Sequence, residues 1–458
     1  MDISFKYLNK IKFSNLNNWS VSHLLEETFS YNKAFPLVKI GKFLIKNTNQ
    51  TIIENDKVYK RVTVKINNNG VKLRDTEQGN KIGTKRQFLV KEGQFIISKI
   101  DARNGAMGII PKDLDGAAVT NDFPTFNVDS ESILPQFLLL LTTTKLFIEF
   151  AQSCSSGTTN RQRIDINKFL QVKIPLPPLD DKDAKIKKLP NTITQEKLVY
   201  EYNKKINEAD EAVQKTILKE KEIETLILNE LGIIKSKKID VKTGLSFYRF
   251  KDIDRWDVWA SKSLSDSNTY SFNKFSEIII GKPTYGANVK GVDKKSETRY
   301  IRITDINEDG LLNNDIIYPE FTEEKYLLQE NDFLIARSGN TVGKTFLYKS
   351  YFGRAIYAGY LVKYNLDLTK VIPEYVLAYT KTSIFKKWIN SNQRVAGQPN
   401  INGQEYLEFP IIVPPIPIQE SLVMEISKIR ISIKSLTDLS VKLRKQAIEN
   451  FEKIIFNN

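Results

Sequence analysis

The segment Ser338-Gly-Asn-Thr-Val-Gly343-Lys344-Thr345 ends as a phosphate-binding loop does, with glycine, lysine and threonine in succession. Such a loop needs glycine at its first position and a helix N-terminus behind it to face the phosphates. Ser338 stands at that first position, and the Phe-Leu-Tyr-Lys-Ser-Tyr-Phe that follows has the composition of a strand. Nucleotide hydrolysis is not expected. The chain has one histidine, His23, and one cysteine, Cys154. This excludes a multi-cysteine or multi-histidine metal site and an internal disulfide, and a histidine triad would depend on a single residue in a polar stretch. Glu323-Glu-Lys325 resembles half of a metal-dependent nuclease signature without the preceding Pro-Asp, and no Asn-Pro-Pro-Tyr or Asp-Pro-Pro-Tyr stretch for amino-group methylation occurs. No catalytic residue and no metal ligand is assigned.

The residues point to binding instead. The net charge is +14 and the pI near 9.3, which suits a polyanionic partner. The charge is uneven: Lys39–Arg103 holds fifteen Lys and Arg against six Asp and Glu, whereas Asn104–Phe150 holds two against six. Two glycine-containing stretches combine basic and small polar side chains after apolar strands, Ser98-Lys99-Ile-Asp-Ala-Arg103-Asn104-Gly-Ala-Met-Gly108 and Ala336-Arg337-Ser338-Gly-Asn340-Thr-Val-Gly-Lys344. Two more loops are dense in donors, Ser155–Arg163 with Arg161 and Arg163, and Gln393–Asn400 with Arg394 and Gln398. Arg and Lys bond phosphates or guanine edges, and Asn and Gln can read adenine. Lys85, Arg86 and Arg302 complete the candidate DNA contacts.

These loops must be positioned by folded elements. Hydrophobic content of 41% supports packed cores, and 458 residues imply roughly two to four domains. No apolar run approaches the roughly 20 residues of a membrane span, and Met-Asp-Ile-Ser-Phe-Lys is not a secretory start. A cytoplasmic protein without a membrane partner is expected. In the first half the composition predicts strands at Leu37–Leu44, Tyr59–Ile66, Phe95–Ile100 and Ala117–Val128, then a helix at Pro135–Gln152 with Leu138, Leu141, Leu146 and Phe150 inward.

From Thr194 to Gly232 no proline or glycine intervenes before Gly232. Leu198, Tyr202, Ile206, Ala209, Val213, Thr216, Ile223 and Ile227 form one seam, interrupted at Glu220, and Gly232 is placed as a left-handed C-cap. Gln419–Phe456 carries a second seam through Leu422, Ile426, Ile429, Ile433, Leu436, Leu443 and Phe451. The two helices begin alike, at Gln195-Glu196 and Gln419-Glu420, each after a proline-rich approach, Ile174–Leu179 and Val413–Pro417. Other pieces recur at nearly constant offset: Tyr59-Lys-Arg61 with Tyr300-Ile-Arg302, Gly70 with Gly310, Pro135 with Pro373, and Gly157 with Gly397, while Trp19 and Trp256 open the copies. The expected fold is α+β: two similar mixed α/β domains (1–179 and 236–415) and two helical regions (180–235 and 416–458). The helices are expected to pair as an antiparallel coiled coil with approximate two-fold symmetry.

The order of these motifs resembles the specificity (S) subunits of type I restriction-modification systems, over nearly the whole chain. The resemblance implies two target recognition domains, each reading half of a split sequence in double-stranded DNA. It also implies docking of two adenine methyltransferase subunits that use S-adenosylmethionine, and of motor-nuclease subunits that use ATP and Mg2+. This chain itself would bind no cofactor and catalyse nothing alone. One departure is the charged segment Asp180–Thr194, broken by Pro190, where such chains more often enter the helix directly. Two alternatives share parts of the pattern: the recognition subunit of a related bipartite, type IIB-like system, and a coiled-coil scaffold that does not bind DNA.

Overall fold

The computed structural model describes residues 30–153, 155–156, 163–189, 192–233, 269–393 and 399–457. Trp19, His23, Cys154 and Trp256 lie outside them, as do the side chains of Leu146 and Phe150. The chain divides into two compact units, Met1–Ala212 with Asp438–Asn458, and Val213–Thr437.

Each unit is organised on a four-stranded sheet of the same order. In the first unit the strands run Leu44–Lys46, Thr125–Val128, Phe95–Ile97, Met107–Ile109. In the second they run Ile279–Tyr285, Leu361–Leu366, Asp332–Ala336, Thr345–Leu347. The inner strand is a continuous apolar run because both faces are covered. Phe95 and Ile97 enter a large core with the helices, and Ile96 enters a smaller one on the other face. Phe333 and Ile335 divide from Leu334 and Ala336 in the same way. A parallel strand contact recurs as well, Ala118 with Arg61 and Tyr300 with Ile356. The proline-rich exits are edge strands: Lys173–Pro175 pairs with Leu37–Lys39, and Pro410–Ile412 pairs with Phe272–Lys274.

Several predicted elements are shorter than expected. The predicted first strand is broken by a 3-10 turn at Ile40–Lys42, the strand from Phe95 ends at Ile97, and Ala117–Val128 contains two strands, Ala118–Val119 and Thr125–Val128. The helix expected at Pro135–Gln152 is two, Pro135–Thr143 and Lys145–Ser153, because Thr144 is extended (ψ 145°) and its hydroxyl donates to the Leu141 carbonyl. The second unit repeats this break between Pro373–Tyr379 and Ser383–Asn392. Asp180–Thr194 contains a short helix, Asp181–Ile186, capped by the Asp180 carboxylate on the Asp183 N–H at 2.7 Å.

The central helix is Gln195–Glu230 and the C-terminal helix Ile416–Ile455. Gly232 ends the first, at φ +65° with its N–H on the Asn229 carbonyl and that of Ile233 on the Leu228 carbonyl. In the first unit Leu198, at the start of one helix, shares a core with Phe451 and Ile455, at the end of the other. In the second unit Ile223, Ile227 and Leu231 share a core with Leu422 and Ile426. Start meets end in both, so the helices pair antiparallel. Val213, expected on the seam, is 37% exposed; Ala212 is buried in its place, so the seam steps from 209 to 212 to 216. Within the first unit Ala209, Ala212, Ser440 and Ala447 are all buried. Arg444 pairs with Asp210 from one helix to the other.

Candidate nucleic-acid interface

In the second unit Asp332–Ala336 and Thr345–Leu347 are joined by the Arg337–Lys344 turn. The Ala336 N–H donates to the Lys344 carbonyl at 2.8 Å, and the Gly343 N–H to the Ala336 carbonyl at 3.0 Å. Gly343 has φ +85°, and a Cβ there would come within 2.8 Å of Ile389 Cγ1. Glycine is therefore required twice over. Asn340 is exposed at the tip, within the 3-10 turn Gly339–Thr341. A second loop braces the first: the Gly339 N–H donates to the Pro399 carbonyl, the Ile401 N–H to the Arg337 carbonyl, and Ser338 bridges Asn400. No helix follows the turn, so the phosphate-loop reading is excluded by geometry as well as by Ser338.

Arg337 is the most distinctive group of this turn. Its guanidinium carbon lies 5.0 Å from the centroid of the Tyr285 ring, a cation–π placement. Tyr285 is held by the Gly403 N–H donating to its hydroxyl at 3.1 Å. Arg337 Nε and Ser338 Oγ are buried with no hydrogen-bond partner among the described residues. Tyr360, 56% exposed, accepts the Arg337 N–H at its carbonyl. A fork of donors held against an aromatic face is suited to an acceptor pair on a base edge or phosphate. Lys344 closes the other end of the same turn, with Nζ 3.0 Å from Glu308 Oε1 and 3.3 Å from the Ile306 carbonyl. Glu308 is 81% exposed, so this pair is weak and exchangeable for a phosphate.

The comparable stretch of the first unit is built differently. Lys99 follows the inner strand, with its N–H on the Asp122 carbonyl and its own carbonyl accepting the Ile164 N–H. Burial pulls the Lys99 ammonium below the usual lysine range; Asp122 opposes this, and Lys46 and Arg163 add to it. Arg163 pairs with Asp122 at 3.3 Å. Lys99 thus sits among two further cations, Lys46 and Arg163, with Asp122 paired to Arg163. Arg103 is half-buried in the 3-10 turn Ala102–Asn104, and the Asn104 side chain is exposed.

Other expected contacts are placed elsewhere. Lys85 ties two loops, donating to Asn55 Oδ1 at 2.8 Å and the Gly79 carbonyl at 2.6 Å. Arg86 is exposed on the five-stranded sheet. Arg302 holds buried Asp305 with Nη2 at 2.7 Å from Oδ1 and Nε at 3.2 Å from Oδ2, a structural assignment. Arg161, Arg394 and Gln398 lie outside the described residues. Sequence reasoning passed over Tyr285, Tyr360, Lys46 and Asp122, since a tyrosine ending a strand and a lysine on an edge carry no local signal. Glu323 pairs with Lys325 and Glu324 with Arg354, so the partial nuclease signature is a set of exposed ion pairs. Among the described residues no three His, Cys, Asp or Glu side chains converge as a metal site.

The model of the type I restriction modification DNA specificity domain family matches residues 33–209 and again residues 265–445. The chain belongs to that family. Each unit thus contains most of one specificity domain, and the Arg337 and Lys99 stretches fall one in each. Among solved structures, a chain from a study of complex assembly and conformational transition of the type I R-M system is 15% identical with a TM-score of 0.54, covering 93% of this chain and 97% of that one. The HsdS subunit from Thermoanaerobacter tengcongensis is 14% identical (TM-score 0.40; 94% and 98% covered). The type I S subunit from M. genitalium is 12% identical (TM-score 0.41; 93% and 97% covered). The first of these likenesses extends to the fold. No curated protein matches the chain. No described helix of this specificity-domain protein is long and apolar enough to cross a membrane.

Proposed function

We propose that the chain is the DNA specificity subunit of a type I restriction-modification complex, in which each specificity domain reads one half of a bipartite duplex target. The observation that carries this is the duplication: two domains of one topology, each presenting a basic loop beside its inner strand, joined by two antiparallel helices. At 1.5 Å per residue the 36 residues of the central helix span about 54 Å, enough to hold two readers about one DNA turn, some 34–36 Å, apart. The helices act as a ruler for the unread spacer.

Chemistry belongs to partners in this reading. Two methyltransferase subunits with S-adenosylmethionine modify adenine, and motor-nuclease subunits with ATP and Mg2+ cleave. Arg337 and Lys99 lead the DNA contacts, with Arg103, Asn104, Arg163, Ser338, Asn340 and Lys344 around them; Arg86, Arg161, Arg394 and Gln398 are further candidates. Single-molecule methylation mapping of host DNA, with and without this gene and its neighbours, tests the proposal. The expected result is loss of N6-methyladenine at one motif of two defined halves and a fixed gap. Intact complex that binds DNA weakly and without salt dependence would sink it, because multiple phosphate contacts impose a steep one.

A further inference from the structure

Each long helix has a fully buried glutamine in its first turn, Gln195 and Gln419. Gln195 Oε1 accepts the Leu134 N–H at 2.9 Å, and Nε2 donates to the Ser132 carbonyl at 3.3 Å and the Pro177 carbonyl at 2.9 Å. Gln419 makes the same three bonds: Oε1 accepts the Ile372 N–H at 2.8 Å, and Nε2 donates to the Lys370 carbonyl at 2.9 Å and the Pro414 carbonyl at 2.7 Å. The main chain agrees, since the Gln195 N–H reaches the Pro178 carbonyl and the Gln419 N–H the Pro415 carbonyl. Each side chain thus ties three segments of its own domain: the helix root, the residue before the first short helix, and the proline-rich exit.

Chain continuity does not dictate this arrangement. Gln195 is eighteen residues from the proline it bonds, and Gln419 only five. The added segment in the first copy loops out through Asp181–Ile186 and returns the glutamine to the same three partners. The chemistry is specific. Leu134 and Ile372 offer an N–H at a helix N-terminus, where no intrahelical acceptor exists, and the exits offer carbonyls with no donor nearby from proline. A primary amide supplies one acceptor and two donors in a plane. Glutamate lacks the donors, and asparagine is one methylene short.

We infer that Gln195 and Gln419 are positioning residues that fix the direction in which each helix leaves its recognition domain, and so set how strictly the spacer is measured. This rests on the proposed ruler function. The test uses the full chain with its methyltransferase subunits and DNA whose half-sites are constant while the spacer is native, one base pair shorter or one longer. Gln195→Met and Gln419→Met keep the volume and remove all three bonds. In each, methylation of off-length spacers relative to the native one should rise roughly fivefold, the scale of one buried hydrogen bond, while half-site sequence preference stays unchanged. An unchanged spacer profile in a folded variant overturns the inference, as does altered half-site preference with the spacer profile intact. Should a Met variant fail to fold, Gln→Glu at the same position keeps the acceptor, loses the donors and carries the same two outcomes. Wild-type complex indifferent to spacer length would instead remove the ruler reading itself.

Discussion

Thr142-Thr143-Thr144 in the first unit and Thr380-Lys381-Thr382 in the second stand at the same bend between paired helices. The outer threonines behave alike, each hydroxyl donating to the carbonyl three residues back. The middle residue does not: Thr143 bonds the Leu140 carbonyl, whereas Lys381 reaches the Thr345 carbonyl across the domain at 3.2 Å. Arg61 and Arg302 diverge in the same manner. Arg61 holds Asp75, 37% exposed, across a strand pair, and Arg302 holds Asp305, 4% exposed, within one turn. The shared plan fixes the apolar sheet, the threonine bends and the glutamine joints, while charged side chains on that plan are free to differ. The proposed function, in which each domain reads its own half-site, needs this separation.

The sharpest challenge to the comparison is removal of each arginine. Arg302→Ala leaves buried Asp305 with only the N–H of residue 302 and the distant Thr304 hydroxyl as donors, and should destabilise the second unit by about 2–4 kcal/mol. Arg61→Ala leaves Asp75 open to water and should cost much less. Denaturant unfolding with hydrogen exchange read at Phe95–Ile97 and Asp332–Ala336 separates the two, and equal losses would break the asymmetry. Next comes binding. Arg337→Ala should weaken DNA binding by about 1–3 kcal/mol and relax specificity at one position of one half-site, with Arg337→Lys recovering little because the fork and the stacking are lost. Lys99→Ala should mainly lower the slope of affinity against salt by about one, alike for all sequences. Titrations at several salt concentrations decide whether the two loops work by different contacts.

Much of this plan was legible in the sequence. The two seams, Gly232, the proline-rich exits and the constant offset of the repeats report apolar periodicity and backbone constraints, which are local. The inner strand Phe95–Ile97 was visible as an apolar run, but its two cores were not, because which face each residue enters depends on distant partners. The slip of the seam from Val213 to Ala212 has the same origin: either residue satisfies the spacing, and the opposing helix chooses. Among site residues, glycines marked the Arg337 turn correctly as a turn. Whether a cation faces outward or is tied into the fold was not legible: Lys85 is held by an amide oxygen and a main-chain carbonyl, and Arg302 by Asp305, which follows three residues later without any pattern to distinguish it from surface acid. Gln195 and Gln419 are alike in sequence context, and only the bonds to Pro177 and Pro414 give that likeness a cause.

Lys381 gives a prediction in pH. Burial pulls its ammonium down to about 7, opposed by Asp309 and Glu308 and assisted by Arg430 and Lys386. Between that value and the ordinary lysine value, the unfolded chain holds a proton that the folded chain has released, so stability rises as pH increases through this window. The penalty is fully present below about pH 7. Lys381→Met should therefore stabilise the second unit by about 1–2 kcal/mol at neutral pH, and the gain should shrink as pH approaches 10. Thermal melts of wild type and variant across pH 6 to about 10 check the sign, and Thr143→Val in the first unit should show no such slope.

The smallest expected effect tests whether the second unit needs its extra polar contact at all. Thr345 and Thr380 hydroxyls lie 2.8 Å apart, both buried, whereas the corresponding strand of the first unit opens on the apolar Met107. Thr380 already donates to the Leu377 carbonyl, so Thr345 must be the donor between them. Thr345→Val removes that donor without stranding the Thr380 hydroxyl, and the volume is conserved. The loss should be about 1 kcal/mol, the net value of one hydrogen bond. A larger loss in denaturant unfolding would mean that the pair also holds the strand Thr345–Leu347, and with it the Lys344 end of the Arg337–Lys344 turn, in place. A loss near zero would mean that the apolar solution of the first unit serves both, and that the divergence at this bend comes from Lys381 alone.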